Sequence, residues 1–283
     1  LWVVFYHMQD AANLDPRLRF LKSIPLFSEG FRGVDLFFVL SGFILFYVHR
    51  NDFLTITWPR THHYAAARFW RVYPLNAVVL LLIIALAIAR PAFIDPVGFT
   101  VPAITQSFLL AQRWFMPDFG SINGPSWSLS VEIIGYATFP LLACGLNRIP
   151  SPRIHLLVAG LCLLALVAAS YWFGFAARNI TGRLTIIRMF PAFIAGAALG
   201  GLFMCGASWI GRHAAALATA SVLAGLVMCS APVLPSLTIF PIAALVLGLA
   251  YERGQVSHFM ASRPIVWLGR ISFSLYLTHF TIL

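Results

Sequence analysis

Apolar runs recur along the whole of this 283-residue chain, and many of them approach the roughly 20 residues that an α-helix needs to cross a bilayer. Hydrophobic residues make up 60% of the sequence and charged residues only 10%, with a mean hydropathy of +0.86. Soluble globular domains carry about 25% charged residues. The sequence therefore predicts an all-α fold, a polytopic transmembrane helical bundle formed by a single domain over residues 1–283.

The apolar runs predict about ten membrane helices. They lie at about 1–10, 33–48, 73–89, 97–112, 124–142, 154–175, 186–205, 213–230, 235–250 and 264–283. The run at 97–112 is the weakest of them, and three arrangements fit it: a span, a re-entrant segment or a segment at the membrane interface. We count it as a span because the loop at 176–188, which includes Arg188, then lies in the cytoplasm together with the most basic loop at 49–72, as the positive-inside rule requires.

Both ends of the chain fall inside apolar runs. It begins at Leu1, without an initiator methionine, and stops at Leu283. We therefore expect that the chain is cut at both ends and that the N-terminal part of the first helix is missing.

The chain is strongly basic. It has 19 Lys and Arg residues against 9 Asp and Glu residues, for a formal net charge of +10. In a soluble protein this excess would suggest nucleic acid as a partner. Here the bases lie mainly between apolar runs, so the expected partners are the lipid bilayer and phosphate-bearing ligands, and not nucleic acid.

One acid lies inside the apolar run at 124–142. Glu132 would place a carboxylate at membrane depth, which is costly unless the group is paired, hydrated or protonated. Ser130 precedes it, and Tyr136 follows one helical turn later on the same face. Two interpretations fit: a helix that turns a polar stripe toward its neighbours, or a polar chamber inside the bundle, which we favour.

Basic residues near the predicted membrane surfaces are further candidates. His7 is either a capped interfacial residue or a general base, since a neutral imidazole can take a proton from a hydroxyl group near physiological pH. Arg68 and Arg71 are three residues apart and share a helical face. Their guanidinium groups would either bind phosphate oxygens or anchor the helix to lipid head groups.

Other polar residues occur within the predicted helices. Asp35 would pair with one of these arginines or be favoured by the dipole at the start of its helix. Ser41 and Gly42 are small residues that would allow close helix approach in mid-span. In the last helix, Tyr276 and His279 share a face, either as packing residues or as part of the chamber.

Four motifs occur in order along the chain. They are Val-Asp-Leu-Phe-Phe-Val-Leu-Ser-Gly-Phe at 34–43, Arg-Phe-Trp-Arg-Val-Tyr-Pro at 68–74, Trp-Ser-Leu-Ser-Val-Glu at 127–132 and Ile-Ser-Phe-Ser-Leu-Tyr-Leu-Thr-His at 271–279. Together they closely resemble the acyltransferase-3 family of integral membrane O-acyltransferases. The resemblance implies a multi-pass inner-membrane enzyme that moves an acyl group, commonly acetyl, from cytoplasmic acyl-CoA to a hydroxyl of a glycan or other saccharide-like acceptor. It implies no permanently bound cofactor and no metal.

The resemblance also implies roles for individual residues. His7 matches the family's first-helix histidine, its proposed catalytic residue. Arg68 and Arg71 match an Arg-x-x-Arg pair implicated with the donor, and Glu132 matches the acid of the third motif. An arginine that the family usually has before the histidine would precede Leu1. The remaining polar positions are expected to support the substrates: Asp35, Ser41, Ser130, Tyr136, Tyr276 and His279.

These assignments suggest a mechanism. Acyl-CoA docks from the cytoplasm with its phosphates on Arg68 and Arg71. His7 removes the proton of the acceptor hydroxyl as this oxygen attacks the thioester carbonyl. Glu132 or Tyr136 orients the imidazole or the acceptor, and serine hydroxyls donate to the developing oxyanion. The alternative is a proton-coupled permease or flippase for a glycan or small solute, since buried ionisable groups also suit transport.

Overall fold

The computed structural model of this chain describes residues 1–11, 20–21, 23–90, 99–114, 121–173, 184–230 and 235–282. Every regular element in these ranges is helical. The α-helices are α1 (Trp2–Ala11), α2 (Pro25–Ser28), α3 (Gly33–His49), α4 (Trp58–Ala89), α5 (Val101–Leu109), α6 (Trp127–Asn147), α7 (Pro152–Trp172), α8 (Leu184–Met204), α9 (Ser208–Ser230), α10 (Ile239–Ala250), α11 (Gly254–Met260) and α12 (Arg263–Ile282). Short 3₁₀ turns precede α3 and α6.

Long apolar helices form the membrane part of the bundle. Within the described ranges, six helical segments are long and apolar enough to cross a membrane, namely those that contain α3, α4, α6, α7, α8 and α9. The segments that contain α10 and α11 are bent by 83° and would make a seventh if they form one span. The prediction of an all-α, multi-pass bundle is confirmed. The count of about ten is not, because only these six of the twelve described α-helices qualify.

The weakest predicted span, 97–112, contains only a short helix. α5 has nine residues and is about 14 Å long, roughly half the thickness of the hydrocarbon. Its cap residue Thr100 accepts a hydrogen bond from the Ala103 amide, and the helix ends where Leu110 takes a left-handed conformation with φ of 51°. The prediction that this run crosses the membrane is therefore wrong.

α4 begins well before its apolar run. Trp58 is its first residue, and Pro59 lies in the first turn, where the missing proline N–H breaks no helical hydrogen bond. The polar residues that follow contain no glycine or proline until the apolar run is reached, so one helix of 32 residues forms. Arg68 and Arg71 thus lie inside a helix, and the loop predicted at 49–72 is only the short connection between α3 and α4.

α3 and α8 cross at close range in the core. Gly42 packs against the backbone of Phe193, and Gly196 packs against the carbonyl group of Val39, so closely that a Cβ atom at either glycine would collide. The small residue predicted to allow close approach in mid-span therefore does so.

An ion pair joins the same two helices near their starts. Arg188 Nε donates to Asp35 Oδ1 at 2.6 Å and Arg188 Nη2 donates to Asp35 Oδ2 at 2.8 Å, and both residues are buried. The partner of Asp35 is thus Arg188 rather than Arg68 or Arg71. Arg188 belongs to α8, in agreement with the predicted span at 186–205, and not to the predicted loop at 176–188. Two parallel hydrogen bonds to an acid neutralise the guanidinium charge, which lets this arginine enter an apolar bundle.

α3 and α8 run parallel. Asp35 lies beside Arg188, and further along the same helices Tyr47 lies beside Phe203. The start of α8 is therefore at the end of the bundle where α3 starts, opposite to the α3–α4 connection. Arg188, the last residue of the predicted loop at 176–188, therefore lies at the end of the bundle opposite to the loop at 49–72, which differs from the prediction. Residues 176–183 themselves lie outside the described residues.

Gly42→Ala should destabilise the protein by about 2 kcal/mol, because the new methyl group must push α8 away from α3. Gly160→Ala is the matched control. Among the described residues, no atom outside its own helix lies within 4 Å of a Cβ built at Gly160, so that alanine should leave stability unchanged or raise it slightly. The thermal midpoint of each variant in detergent measures the difference. Equal midpoints would argue against a tight crossing.

Candidate active site

A cavity of about 780 Å³ lies between α1, α3, α4, α6 and α12. Among its lining residues are several that the sequence had singled out: Ser41, Arg68, Arg71, Glu132, Tyr136 and Tyr276. Apolar side chains of α3, including Leu40 and Ile44, form much of the remaining wall. A largely apolar cleft with a few convergent polar groups is typical of a ligand-binding site.

Glu132 is the acid of this cavity. It lies in the second turn of α6 and is 1% exposed. One of its oxygens, Oε1, accepts hydrogen bonds from the Ser41 hydroxyl at 2.7 Å and from the Tyr136 hydroxyl at 2.6 Å. The other, Oε2, has no hydrogen-bond partner among the described residues. Since a buried carboxylate oxygen without a partner is costly, Oε2 is where a polar group of a bound ligand would be stabilised.

Basic side chains line the same cavity. Arg68 and Arg71 come from α4, as predicted, and Arg270 of α12 and His49 of α3 join them. The His49 ring is held by Asp52, whose carboxylate lies 2.8 Å from Nδ1. Sequence analysis missed Arg270 and His49, although an arginine inside a predicted span was an available signal. Guanidinium groups from two helices suit a ligand that carries several phosphate groups.

His7 and His279 form a pair just beyond the cavity. Their ring centroids are 5.1 Å apart, at the contact between α1 and α12. Neither residue lines the cavity, which reaches Val3 on α1 and Tyr276 on α12. The two histidines lie about one helical turn further along these helices, a distance of ~5 Å. His279 is 4% exposed, and His7 is half-buried.

The structure does not bring Glu132 to the imidazole of His7. The hydrogen bonds of Glu132 go to Ser41 and Tyr136, whereas the imidazole that contacts His7 is that of His279. The reason is that α6 turns Glu132 toward α3, while α1 and α12 hold the histidines. The predicted residues therefore form two adjacent clusters instead of one.

Tyr276 connects the two clusters. Its hydroxyl donates to the Pro125 carbonyl at 2.8 Å and lies 2.7 Å from the Ser128 hydroxyl. Pro125 belongs to the 3₁₀ turn Gly124–Ser126 that immediately precedes α6. α12, which carries His279, is thereby tied to the start of the helix that carries Glu132.

Ser130 and Asp35 lie outside the cavity and support the fold around it. The Ser130 hydroxyl accepts from the Arg113 amide at 3.2 Å, and its carbonyl accepts from the Trp114 indole at 2.6 Å. These bonds hold the segment after α5 against α6, as the ion pair to Arg188 holds Asp35 against α8. Within the described ranges, no group of three or more His, Cys, Asp or Glu side chains has the arrangement of a metal site.

This chain is similar to known acyltransferases. The profile of the acyltransferase-3 family, described as an acyltransferase domain, matches residues 1–283. The acyltransferase MdmB of Streptomyces mycarofaciens is 30% identical over 274 residues, which cover 88% of this chain and 67% of that protein. The peptidoglycan O-acetyltransferase OatA of Listeria monocytogenes is 30% identical over 153 residues, which cover 49% of this chain and 24% of that protein. No solved structure matches the chain significantly.

Proposed function

Because this chain belongs to the acyltransferase-3 family, and is therefore an O-acyltransferase enzyme, we propose that it transfers an acetyl group from cytoplasmic acetyl-CoA to a hydroxyl group of a glycan. One observation carries the proposal. A cavity with arginines on its wall leads to within one helical turn of two contacting histidines. Guanidinium groups suited to phosphate and a pair of imidazoles suited to proton transfer are thus close enough to act on one extended donor, which supports the proposal.

The donor would enter at the end of the bundle where α3 joins α4. Arg50 and Arg60 lie at this connection, and Asn147 donates to the Arg50 carbonyl at 2.7 Å, which brings Arg148 to the same end. An excess of arginine marks the cytoplasmic side of a membrane protein. We therefore propose that this end of the bundle faces the cytoplasm and that the membrane is the inner membrane of the cell.

The basic and apolar parts of the cavity wall match the phosphate groups and the pantetheine arm of acetyl-CoA, respectively. Arg68, Arg71 and Arg270 would hold the phosphates of its nucleotide end through charge-assisted hydrogen bonds. The pantetheine arm would lie along the apolar wall of α3. One of its amide N–H groups would donate to Glu132 Oε2, the oxygen that has no partner among the described residues.

His7 would act as the general base. It takes the proton of the acceptor hydroxyl, whose oxygen bonds to the thioester carbonyl carbon. The C–S bond then breaks, and the proton returns to the CoA thiolate. Because His7 lies beyond the cavity, the thioester must reach the end lined by Val3 and Tyr276. The acceptor would approach from the side opposite to the arginines.

A saccharide is the acceptor class that we propose. Support comes from the similarity to a peptidoglycan O-acetyltransferase, which extends over 49% of this chain. The permease alternative is less well supported. Inverted-repeat transporters have broken helices in corresponding positions of two halves. The described ranges show one bent pair, α10 with α11, and the family is one of transferases.

Membranes that contain the protein, incubated with radiolabelled acetyl-CoA and extracted glycan, should yield a labelled ester. The variant Arg68→Gln/Arg71→Gln should raise the apparent KM for acetyl-CoA by at least about tenfold, since each charge-assisted hydrogen bond contributes about 1.5–3 kcal/mol. The matched control is Arg212→Gln, because Arg212 is exposed on α9 and lies outside the cavity.

Each outcome separates two interpretations. Ester formation that depends on the protein supports the enzyme, whereas glycan movement across sealed vesicles without any ester would favour the permease. An unchanged KM for acetyl-CoA in the double variant would leave Arg68 and Arg71 as anchors to lipid head groups.

A further inference from the structure

His279 is held as a hydrogen-bond acceptor. Its Nδ1 lies 2.7 Å from the carbonyl oxygen of Tyr276, three residues earlier in α12. A carbonyl oxygen can only accept, so Nδ1 carries the proton of the neutral ring and Nε2 keeps a lone pair. Nε2 is buried and has no hydrogen-bond partner within the described part of the chain. Such a buried acceptor calls for a donor.

The imidazole of His7 is the polar ring next to it. The two ring centroids are 5.1 Å apart, with the ring planes tilted by 40°. When a nitrogen of each ring points at the other ring, this distance between centroids corresponds to about one hydrogen-bond length, ~3 Å, between the two nitrogens. Two aromatic rings also contact His7 in the described part of the chain, Tyr6 at 5.0 Å and Phe280 at 5.6 Å between centroids.

We propose that His279 is a positioning residue for His7, with Nε2 of His279 accepting a hydrogen bond from the His7 imidazole once His7 has taken the proton of the acceptor hydroxyl. A general base is most effective when a second group fixes its ring and stabilises its protonated form. Here the neutral imidazole of His279 would orient the base and stabilise its protonated form, a role that a carboxylate has in other enzymes. Glu132 does not take this role, because its hydrogen bonds go to Ser41 and Tyr136. This inference rests on the proposed function, because it requires His7 to be the base.

Two substitutions separate this role from simple packing. His279→Asn retains an N–H group for the Tyr276 carbonyl but loses the acceptor at the position of Nε2. His279→Gln places an amide oxygen near that position. We expect kcat to fall about 100-fold in the Asn variant, because the protonated His7 imidazole would lose the acceptor that stabilises it. The KM for acetyl-CoA should stay unchanged, because neither histidine lines the cavity. The kcat of the Gln variant should be about tenfold higher than that of the Asn variant.

A double-mutant cycle that combines His279→Asn with His7→Ala provides a second test, with the transfer rate as the measured quantity. If His279 acts through His7, His279→Asn should not lower the residual transfer rate any further in the His7→Ala background. Additive losses in this cycle would overturn the proposal, as would equal losses in the Asn and Gln variants accompanied by a lower thermal midpoint.

Failure of this inference differs from failure of the proposed function. If the wild-type protein forms no ester, the proposed function is wrong. If the wild type forms ester and His279→Asn retains full kcat, only the positioning role is wrong. Binding of CoA to each purified variant shows whether its cavity has folded.

Discussion

His7→Ala should lower the rate of acetyl transfer by about 10²–10⁴-fold, the usual contribution of a positioned general base. The KM for acetyl-CoA and the thermal midpoint should stay near their wild-type values, because His7 is only half-buried and does not line the cavity. The measurement is the initial rate of labelled ester formation at saturating donor, combined with the binding of CoA to the purified variant.

The matched control for this variant is His213→Ala. His213 is exposed on α9, away from both clusters, so its removal should change neither the rate nor the donor KM. Near-normal turnover in His7→Ala would show that another group takes the proton. A parallel loss of CoA binding would instead mean that the substitution had disturbed the bundle.

Arg188→Ala should have the largest effect on stability, about 3–5 kcal/mol, because it leaves the buried carboxylate of Asp35 without its ion-pair partner. Arg188 also donates to the Phe31 carbonyl at 3.3 Å, so the start of α3 loses a second contact. We expect little folded protein in membranes and a much lower thermal midpoint for what remains. Size-exclusion chromatography in detergent measures the folded fraction.

A variant that lacks the charges of both Asp35 and Arg188 is the control for Arg188→Ala. The variant Asp35→Asn/Arg188→Met keeps similar side-chain volumes and leaves no unpaired charge, so it should recover most of the stability that Arg188→Ala loses. If the double variant is as unstable as the single one, packing rather than the unpaired charge explains the loss. A stable Arg188→Ala protein would contradict the structural role of the ion pair.

Contacts within one helix followed from residue spacing. Glu132 and Tyr136 are four residues apart, and the structure confirms that they meet, in a hydrogen bond of 2.6 Å. The close approach at Gly42 likewise followed from small side chains in mid-span. The hydrogen bond from Ser41 to Glu132 links residues 91 positions apart, and only the packing of α3 on α6 produces it.

Hydropathy and the positive-inside rule together placed two features incorrectly. Arg188 stands at the start of an apolar run and falls in the predicted loop at 176–188 as well as in the predicted span at 186–205, because its partner Asp35 is 153 positions away in the sequence. The run at 97–112 is predicted as a span because the positive-inside rule requires it, whereas its helix has only nine residues and ends where the backbone turns at Leu110.

The amino-acid sequence alone determined the class of this protein, an all-α membrane bundle with the ordered motifs of an acyltransferase family. The tertiary structure decided which polar groups share a site: it placed Glu132 in a cavity with Arg68 and Arg71, and it paired His7 with His279 one turn beyond. Burial of apolar surface is non-directional and follows from composition. Hydrogen bonds need atoms of distant helices within about 3 Å, so they depend on how those helices pack.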